Sequence, residues 1–161
     1  MTDTARSIAG LDLTVSDLIT GYGVVEGART LLEKRGGTLE GQRVVVEGFG
    51  NVGSAAALYF ARAGARVVGL VDADSFLMAP DGLDPIKIED LITQGAGRVI
   101  PLQPLRRSHS DRSPADKVPA DIFVPAAVSG SLDRLQDAGV HTIVCGANQP
   151  FREEGLGATA T

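Results

Sequence analysis

Short apolar runs alternate with stretches of helical period along most of this chain, and that alternation predicts an α/β fold. Arg43-Val44-Val45-Val46-Glu47 is a β-branched run of the kind that forms a buried parallel strand, and Arg66 to Asp72 (RVVGLVD) is a second. Between them, Ser54 to Arg62 (SAAALYFAR) consists mostly of good helix formers, with Gly64 placed to close the helix. Upstream, Val24, Ala28, Leu31, Leu32 and Arg35 recur at helical spacing until Gly36-Gly37 stops them. Three glycines near the start of that helix, Gly21, Gly23 and Gly27, cost roughly 1 kcal/mol each relative to alanine. Such a cost points to close packing or ligand approach. Residues 1 to about 15 carry no clear period, and a lead-in segment is expected over 1–17.

Downstream of Asp72 the pattern weakens. Ala73 to Leu83 reads as a loop with a turn signal at Pro80-Asp81-Gly82. Asp84 then stands as an N-cap with Pro85 at the first helical position, and Ile88, Leu91 and Ile92 give an apolar face before Gln94-Gly95. Val99-Ile100 is a candidate short strand. Residues 101–119, rich in proline, arginine and serine, read as a long loop or insertion containing an inert His109. Asp121 to Pro125 (DIFVP) is a third buried strand stopped by proline, followed by small residues through Gly130 and a short helix from Ser131 to Ala138. His141 to Gly146 is the last strand, with a turn at Ala147 to Pro150. The expected architecture is a Rossmann-like, doubly wound, mostly parallel sheet in a single domain over 18–151, with a truncated tail over 152–161.

The junction of the first strand and its helix carries the candidate chemistry. Gly48-Phe49-Gly50-Asn51-Val52-Gly53 fits G-x-G-x-x-G between a strand and a helix. Gly48 permits the tight turn, Gly50 lets a pyrophosphate approach the backbone, and Gly53 lets the helix lie close on the sheet. The helix N-terminus near Asn51 and Val52 offers unpaired N–H groups and a partial positive charge to that pyrophosphate. Asp72 ends the second strand close to the roughly 20-residue interval at which an acid accepts hydrogen bonds from a ribose diol. A glycine-rich turn with no ligand would leave the position of this acid as accident. Ligands of open α/β sheets bind at the carboxyl ends of strands, and the same edge would gather Pro125 to Ala127 and Asn148.

Composition narrows the remaining classes. At 161 residues the chain has the length of one domain, and no apolar run approaches the ~20 residues needed to span a bilayer. A net charge of −5 without an arginine or lysine stripe argues against nucleic acid. The single cysteine, Cys145, excludes an intrachain disulfide and any Cys/His metal cluster, and is expected to be a small buried strand residue. A cytoplasmic protein without a metal site is expected.

Five segments together resemble the cofactor-binding domain of the glutamate/leucine/phenylalanine/valine dehydrogenase family. They are Thr20 to Val24 (TGYGV), Leu39 to Gly53 (LEGQRVVVEGFGNVG), Pro80 to Asp84 (PDGLD), Asp121 to Ala127 (DIFVPAA) and Gly146 to Pro150 (GANQP). The resemblance implies that Thr20 meets the nicotinamide carboxamide, that Gly48 to Gly53 hold the pyrophosphate, and that Asp72, with Ala73 beside it, holds the adenosine ribose. Ala126 and Ala127 would line the nucleotide groove, and Asn148 would lie beside the nicotinamide. It further implies a nicotinamide dinucleotide and the glutamate branch of substrates; Asp72, which would repel a 2′-phosphate, points to NAD as cofactor, with NADP possible. In that family a lysine and an aspartate of a separate substrate domain perform the proton transfers. Lys34, Lys87 and Lys117 do not sit in the glycine-rich setting of that lysine, so no catalytic residue is assigned and the chain alone is expected to be inactive. A substrate-domain partner, in the same or another chain, and a homo-oligomer are expected. Two other readings stand beside this one: a non-catalytic redox-state sensor, and an S-adenosylmethionine-dependent methyltransferase, which shares the glycine loop and the terminal acid but gives Thr20 and Asn148 no role.

Overall fold

The β-branched runs do form the centre of a sheet. The computed structural model describes residues 15–72, 75–95, 103–104, 119–127 and 140–146. In chain order its elements are α1 (Val15–Lys34), β1 (Arg43–Glu47), α2 (Asn51–Arg62), β2 (Arg66–Val71), β3 (Ser75–Leu83), α3 (Pro85–Gly95), β4 (Gln103–Pro104), β5 (Ile122–Pro125) and β6 (Thr142–Ile143). The strands make one sheet in the order β4-β3-β2-β1-β5-β6. β1 pairs in parallel with β2 on one side and β5 on the other, and β5 pairs in parallel with β6. β3 and β4 are antiparallel additions at the far edge. The chain therefore winds outward from β1 in one direction and later returns to its other side, which is the Rossmann-like arrangement, with a switch point between β1 and β5.

Alternation along the central strands divides the core. Val44, Val46, Val67, Ile122 and Val124 face a large cluster containing Val25 and Ala28 of α1, Leu58 and Phe60 of α2, and Ile88 and Ile92 of α3. Val45, Val68, Val71 and Phe123 face the other way, with Phe76 and Met78 of β3 packed beside them. All three described helices thus cover the same face. Among the described residues no helix is long and apolar enough to cross a membrane.

α1 begins at Val15, inside the lead-in expected to run to residue 17, and it takes its three glycines into the helix interior. They are not equivalent. A β-carbon at Gly21 would lie 2.6 Å from Ala55 Cβ and 2.7 Å from the Ala56 nitrogen, so α1 and α2 cross nearly backbone to backbone. At Gly23 nothing lies within 4 Å, and at Gly27 only Val144 does, at 3.7 Å. Close packing explains the first glycine only.

The largest correction concerns residues 75–83, expected as loop and found as β3. Val67 pairs with Leu83 but Gly69 pairs with Met78, so two steps along β2 are matched by five along β3. Pro80-Asp81-Gly82 occupies this excursion, with Gly82 at φ +89°, and the turn signal is a bulge inside a strand. Gln103 and Pro104, expected as loop, pair with Phe76 and Ser75. β6 is shorter than the expected 141–146. Cys145 lies beyond it and is exposed, on the same alternating face as the exposed Ile143, although hydrogen bonds from the Val144 and Gly146 N–H groups to β5 and its end continue past the strand. The expected strand at Val99-Ile100, the helix from Ser131 to Ala138, His109, Lys117 and the tail over 152–161 lie outside the described residues. Elsewhere the local signals hold: Asp84 Oδ1 accepts the Lys87 N–H at 2.8 Å as an N-cap, and Gly64 ends α2 at φ +84°.

At the amino edge of the sheet, Arg43 clamps β1 to β5. Its Nη2 donates to Asp121 Oδ1 at 2.7 Å, and its backbone N–H and Nε both donate to Asp121 Oδ2. The guanidinium hydrogen bond holds the Asp121 carboxyl below its ordinary range, against a smaller opposing effect of burial. A depressed carboxylate contributes stability that is complete above the unfolded pKa, about 3.9, and is lost as pH falls through the lower folded-state value. Asp121→Asn should therefore lower the denaturation midpoint at pH 7, with the gap to the unmutated chain closing below about pH 4, followed by chemical denaturation across pH. The glycines give a second expectation for thermal melts. Gly21→Ala should destabilise by forcing α1 off α2, whereas Gly23→Ala should stabilise by up to about 1 kcal/mol.

Candidate functional site

The carboxyl ends of β1, β2, β5 and β6 lie along one edge, and short backbone hydrogen bonds carry the register past the strand ends. The Gly48 N–H donates to the Val71 carbonyl at 2.6 Å, the Ala126 N–H to the Glu47 carbonyl at 2.7 Å, and the Gly146 N–H to the Pro125 carbonyl at 3.0 Å. Gly48 has φ +96°, and a β-carbon on it would fall 2.6 Å from the Ala126 carbonyl carbon and the Ala127 nitrogen. A β-carbon on Gly53 would collide with the Gly48 carbonyl oxygen. The end of β1, the first turn of α2 and the start of the loop after β5 are thus interlocked at backbone distance. Only glycine fits at 48 and 53.

Gly50 behaves differently. It is exposed, with φ −78° and ψ −164°, and a β-carbon there would meet nothing within 4 Å. It is the N-cap of α2 without a side-chain capping bond, and the first turn contains no acid. The Ser54 N–H is the first to find an intrahelical partner, the Gly50 carbonyl at 2.9 Å. The amides of Asn51, Val52 and Gly53 precede it, in the region where a helix has donors to offer an anion. Glycine at 50 is required neither by a positive φ nor by a protein neighbour. The space beside its α-carbon is open.

Asp72 stands one residue beyond β2, half-buried, with its N–H donating to the Ser75 carbonyl at 2.8 Å across the turn into β3. This puts an acid at the end of the strand adjacent to the glycine loop. Phe49, included among the cofactor-binding candidates, has a fully buried side chain in the main core, so only its backbone can face the crevice. Thr20 is exposed on α1, and its hydroxyl donates to the Ser16 carbonyl at 2.9 Å, leaving the oxygen as an acceptor. Ala126 and Ala127 are half-buried at the end of β5. Ala73 and Asn148 lie outside the described residues. Cys145 is near this edge, but desolvation raises its thiol pKa, so it is a protonated thiol at neutral pH rather than an activated nucleophile.

Sequence reasoning missed Val24 and Gly146 as parts of this edge. Val24 of α1, Val52 of α2, Ala126 after β5 and Gly146 after β6 meet there, all within 3.5 Å of a β-carbon position on Gly146. Val24 and Gly146 both stand in segments of the resemblance, Val24 closing Thr20 to Val24 and Gly146 opening Gly146 to Pro150, but neither is assigned a role there.

The two lysines among the described residues are placed elsewhere. Lys34 closes the end of α1 that leads into β1, and Lys87 is in the first turn of α3, after Leu83, whose partner Val67 lies near the start of β2. Both are exposed and belong to the amino edge.

The sequence pattern of the glutamate/leucine/phenylalanine/valine dehydrogenase family matches residues 14–158. An NADP-specific glutamate dehydrogenase of Saccharolobus shibatae is 33% identical over 134 residues, covering 82% of this chain and 31% of that protein. An NAD-specific glutamate dehydrogenase of Staphylococcus aureus is 34% identical over 142 residues, covering 86% of this chain and 33% of that protein. Among solved structures, the hetero-hexameric glutamate dehydrogenase of Thermus thermophilus in its leucine-bound form superposes with a TM-score of 0.70 at 30% identity, over 86% of this chain and 32% of that one. The chain spans about a third of the length of the curated relatives it matches.

The interlock predicts unequal responses at two glycines three residues apart. Gly53→Ala should cost at least about 2 kcal/mol of folding free energy through overpacking. Gly50→Ala should cost under about 1 kcal/mol, the difference between glycine and alanine at an N-cap. Paired urea denaturation of the two variants checks both.

Proposed function

This chain belongs to the glutamate/leucine/phenylalanine/valine dehydrogenase family, and we propose that it is the nicotinamide-dinucleotide-binding portion of an amino acid dehydrogenase. The observation that carries the proposal is Gly50: an open, exposed glycine at an uncapped helix N-terminus, beside the acid at the end of the neighbouring strand and at the sheet's switch point. A pyrophosphate would lie against Gly50 and accept hydrogen bonds from the first-turn amides through Gly53, while Asp72 with Ala73 would hold the adenosine ribose. Ala126 and Ala127 would line the groove. Thr20, its hydroxyl proton already engaged, would accept from a carboxamide N–H, and Asn148 would lie beside the nicotinamide. NAD is the proposed cofactor, because the Asp72 carboxylate repels a 2′-phosphate.

The proposed reaction is oxidation of an L-amino acid of the glutamate class to its 2-oxo acid and ammonia. The dinucleotide supplies the hydride acceptor, and this chain binds and orients it. No described lysine stands at the carboxyl edge, so the proton-transfer groups are assigned to a substrate domain carried by another segment or a partner chain. The sizes of the relatives support this division, since each contains about twice as much additional chain.

Calorimetric titration of the purified chain with NADH, NADPH and S-adenosylmethionine tests the proposal. NADH is expected to bind more tightly than NADPH, with S-adenosylmethionine inert. Gly50→Ala should weaken NADH at least about tenfold by blocking close approach, at an almost unchanged melting temperature, and Asp72→Ala should reduce the preference for NADH over NADPH. A folded chain that binds neither dinucleotide would overturn the reading.

A further inference from the structure

Gly146 is half-buried where four elements converge. A β-carbon on it would lie 3.3 Å from Ala126 Cβ, 3.3 Å from Val52 Cγ1 and 3.5 Å from Val24 Cγ2. At the two shorter separations a neighbour has to give by a few tenths of an ångström, while Val24 is in ordinary contact. The neighbours differ in how firmly they are held. α2 is fixed by Gly53 against Gly48 and by Ala55 against Gly21, and Ala126 is fixed by its bond to the Glu47 carbonyl and by Gly48 beneath it. Gly146 itself sits three residues beyond a two-residue strand, attached through the Val144 and Gly146 N–H groups to the carbonyls of Phe123 and Pro125. The segment that would yield is the one carrying Gly146.

We propose that Gly146 is a positioning residue for the second nucleotide of the dinucleotide. Its missing side chain lets the end of β6 close against the first turn of α2 and the loop after β5, and so sets the width of the crevice on that side. The inference rests on the cofactor reading above and extends it. In a sheet that winds both ways from β1, the glycine loop and Asp72 serve one nucleotide and the ends of β5 and β6 face the other. The side chains packed around Gly146 are the aliphatic Val24, Val52 and Ala126, and an apolar surround suits an uncharged flat group such as a reduced nicotinamide better than a phosphate. Moving this wall leaves the glycine loop and Asp72 where they are.

NMR titration of the full chain with NADH, and separately with AMP, distinguishes the two halves, because AMP carries only the adenosine nucleotide. Gly146→Ala should weaken NADH at least about tenfold, with AMP affinity held within about twofold. Adding Val52→Ala removes the methyl group that the new β-carbon meets, and should restore part of the NADH affinity. Should Gly146→Ala alone not fold, the double variant carries the comparison, and its ratio of NADH to AMP affinity must fall below that of the unmutated chain. NADH binding unchanged by Gly146→Ala, or equal loss of NADH and AMP at an unchanged melting temperature, overturns the inference. Failure of the cofactor reading is separate: it appears in the unmutated chain, as binding of neither NADH nor AMP.

Discussion

The structure depends on a contact that admits no side chain. Where β1 ends, the Gly48 backbone lies against Ala126 and Ala127, and the first turn of α2 lies on the Gly48 carbonyl through Gly53. This three-way approach fixes the start of α2 relative to the switch point of the sheet. Everything proposed for the crevice follows from that placement, since a helix N-terminus attracts an anion only through its first turn. The approach of α1 to α2 at Gly21 supports the same helix from its other side. Two glycine contacts thus hold α2 in a position where Gly50, at its N-terminus, is left open.

Glycine has three distinct uses within this small region, and the space around each position separates them. At Gly48 and Gly53 the protein itself fills the space a β-carbon would need. At Gly21 a neighbouring helix does so. At Gly50 nothing does, although the backbone angles there suit any residue. The G-x-G-x-x-G spacing alone does not divide these roles; the space around each glycine does.

The parts legible in the sequence are those where a local signal and the tertiary fold agree. β1, α2, β2 and β5 were readable because a β-branched run or a helix-forming segment is bounded by glycine, proline or an acid, and the Asp84-Pro85 cap marked α3 for the same reason. β3 was not, because Pro80-Asp81-Gly82 carries turn chemistry while the residues on either side pair with β2 around a bulge. β4 is too short to show a period. The exposure of Cys145 is not legible because its apolar run does not reveal that one face of β6, carrying Ile143 and Cys145, is left uncovered among the described residues. Within the site, Gly48 to Gly53 and Asp72 were legible from spacing. The convergence of Val24, Val52, Ala126 and Gly146 was not, since it joins four separated segments and no spacing encodes it.

The most direct test of the account is to follow backbone amide chemical shifts of the full chain as NADH is added. The account predicts that the amides of Gly50, Asn51, Val52 and Gly53 move together with that of Asp72, while those of α3 and the amino edge around Arg43 and Asp121 stay in place. Shifts that leave residues 50–53 untouched, or that cluster at the amino edge instead, would contradict it.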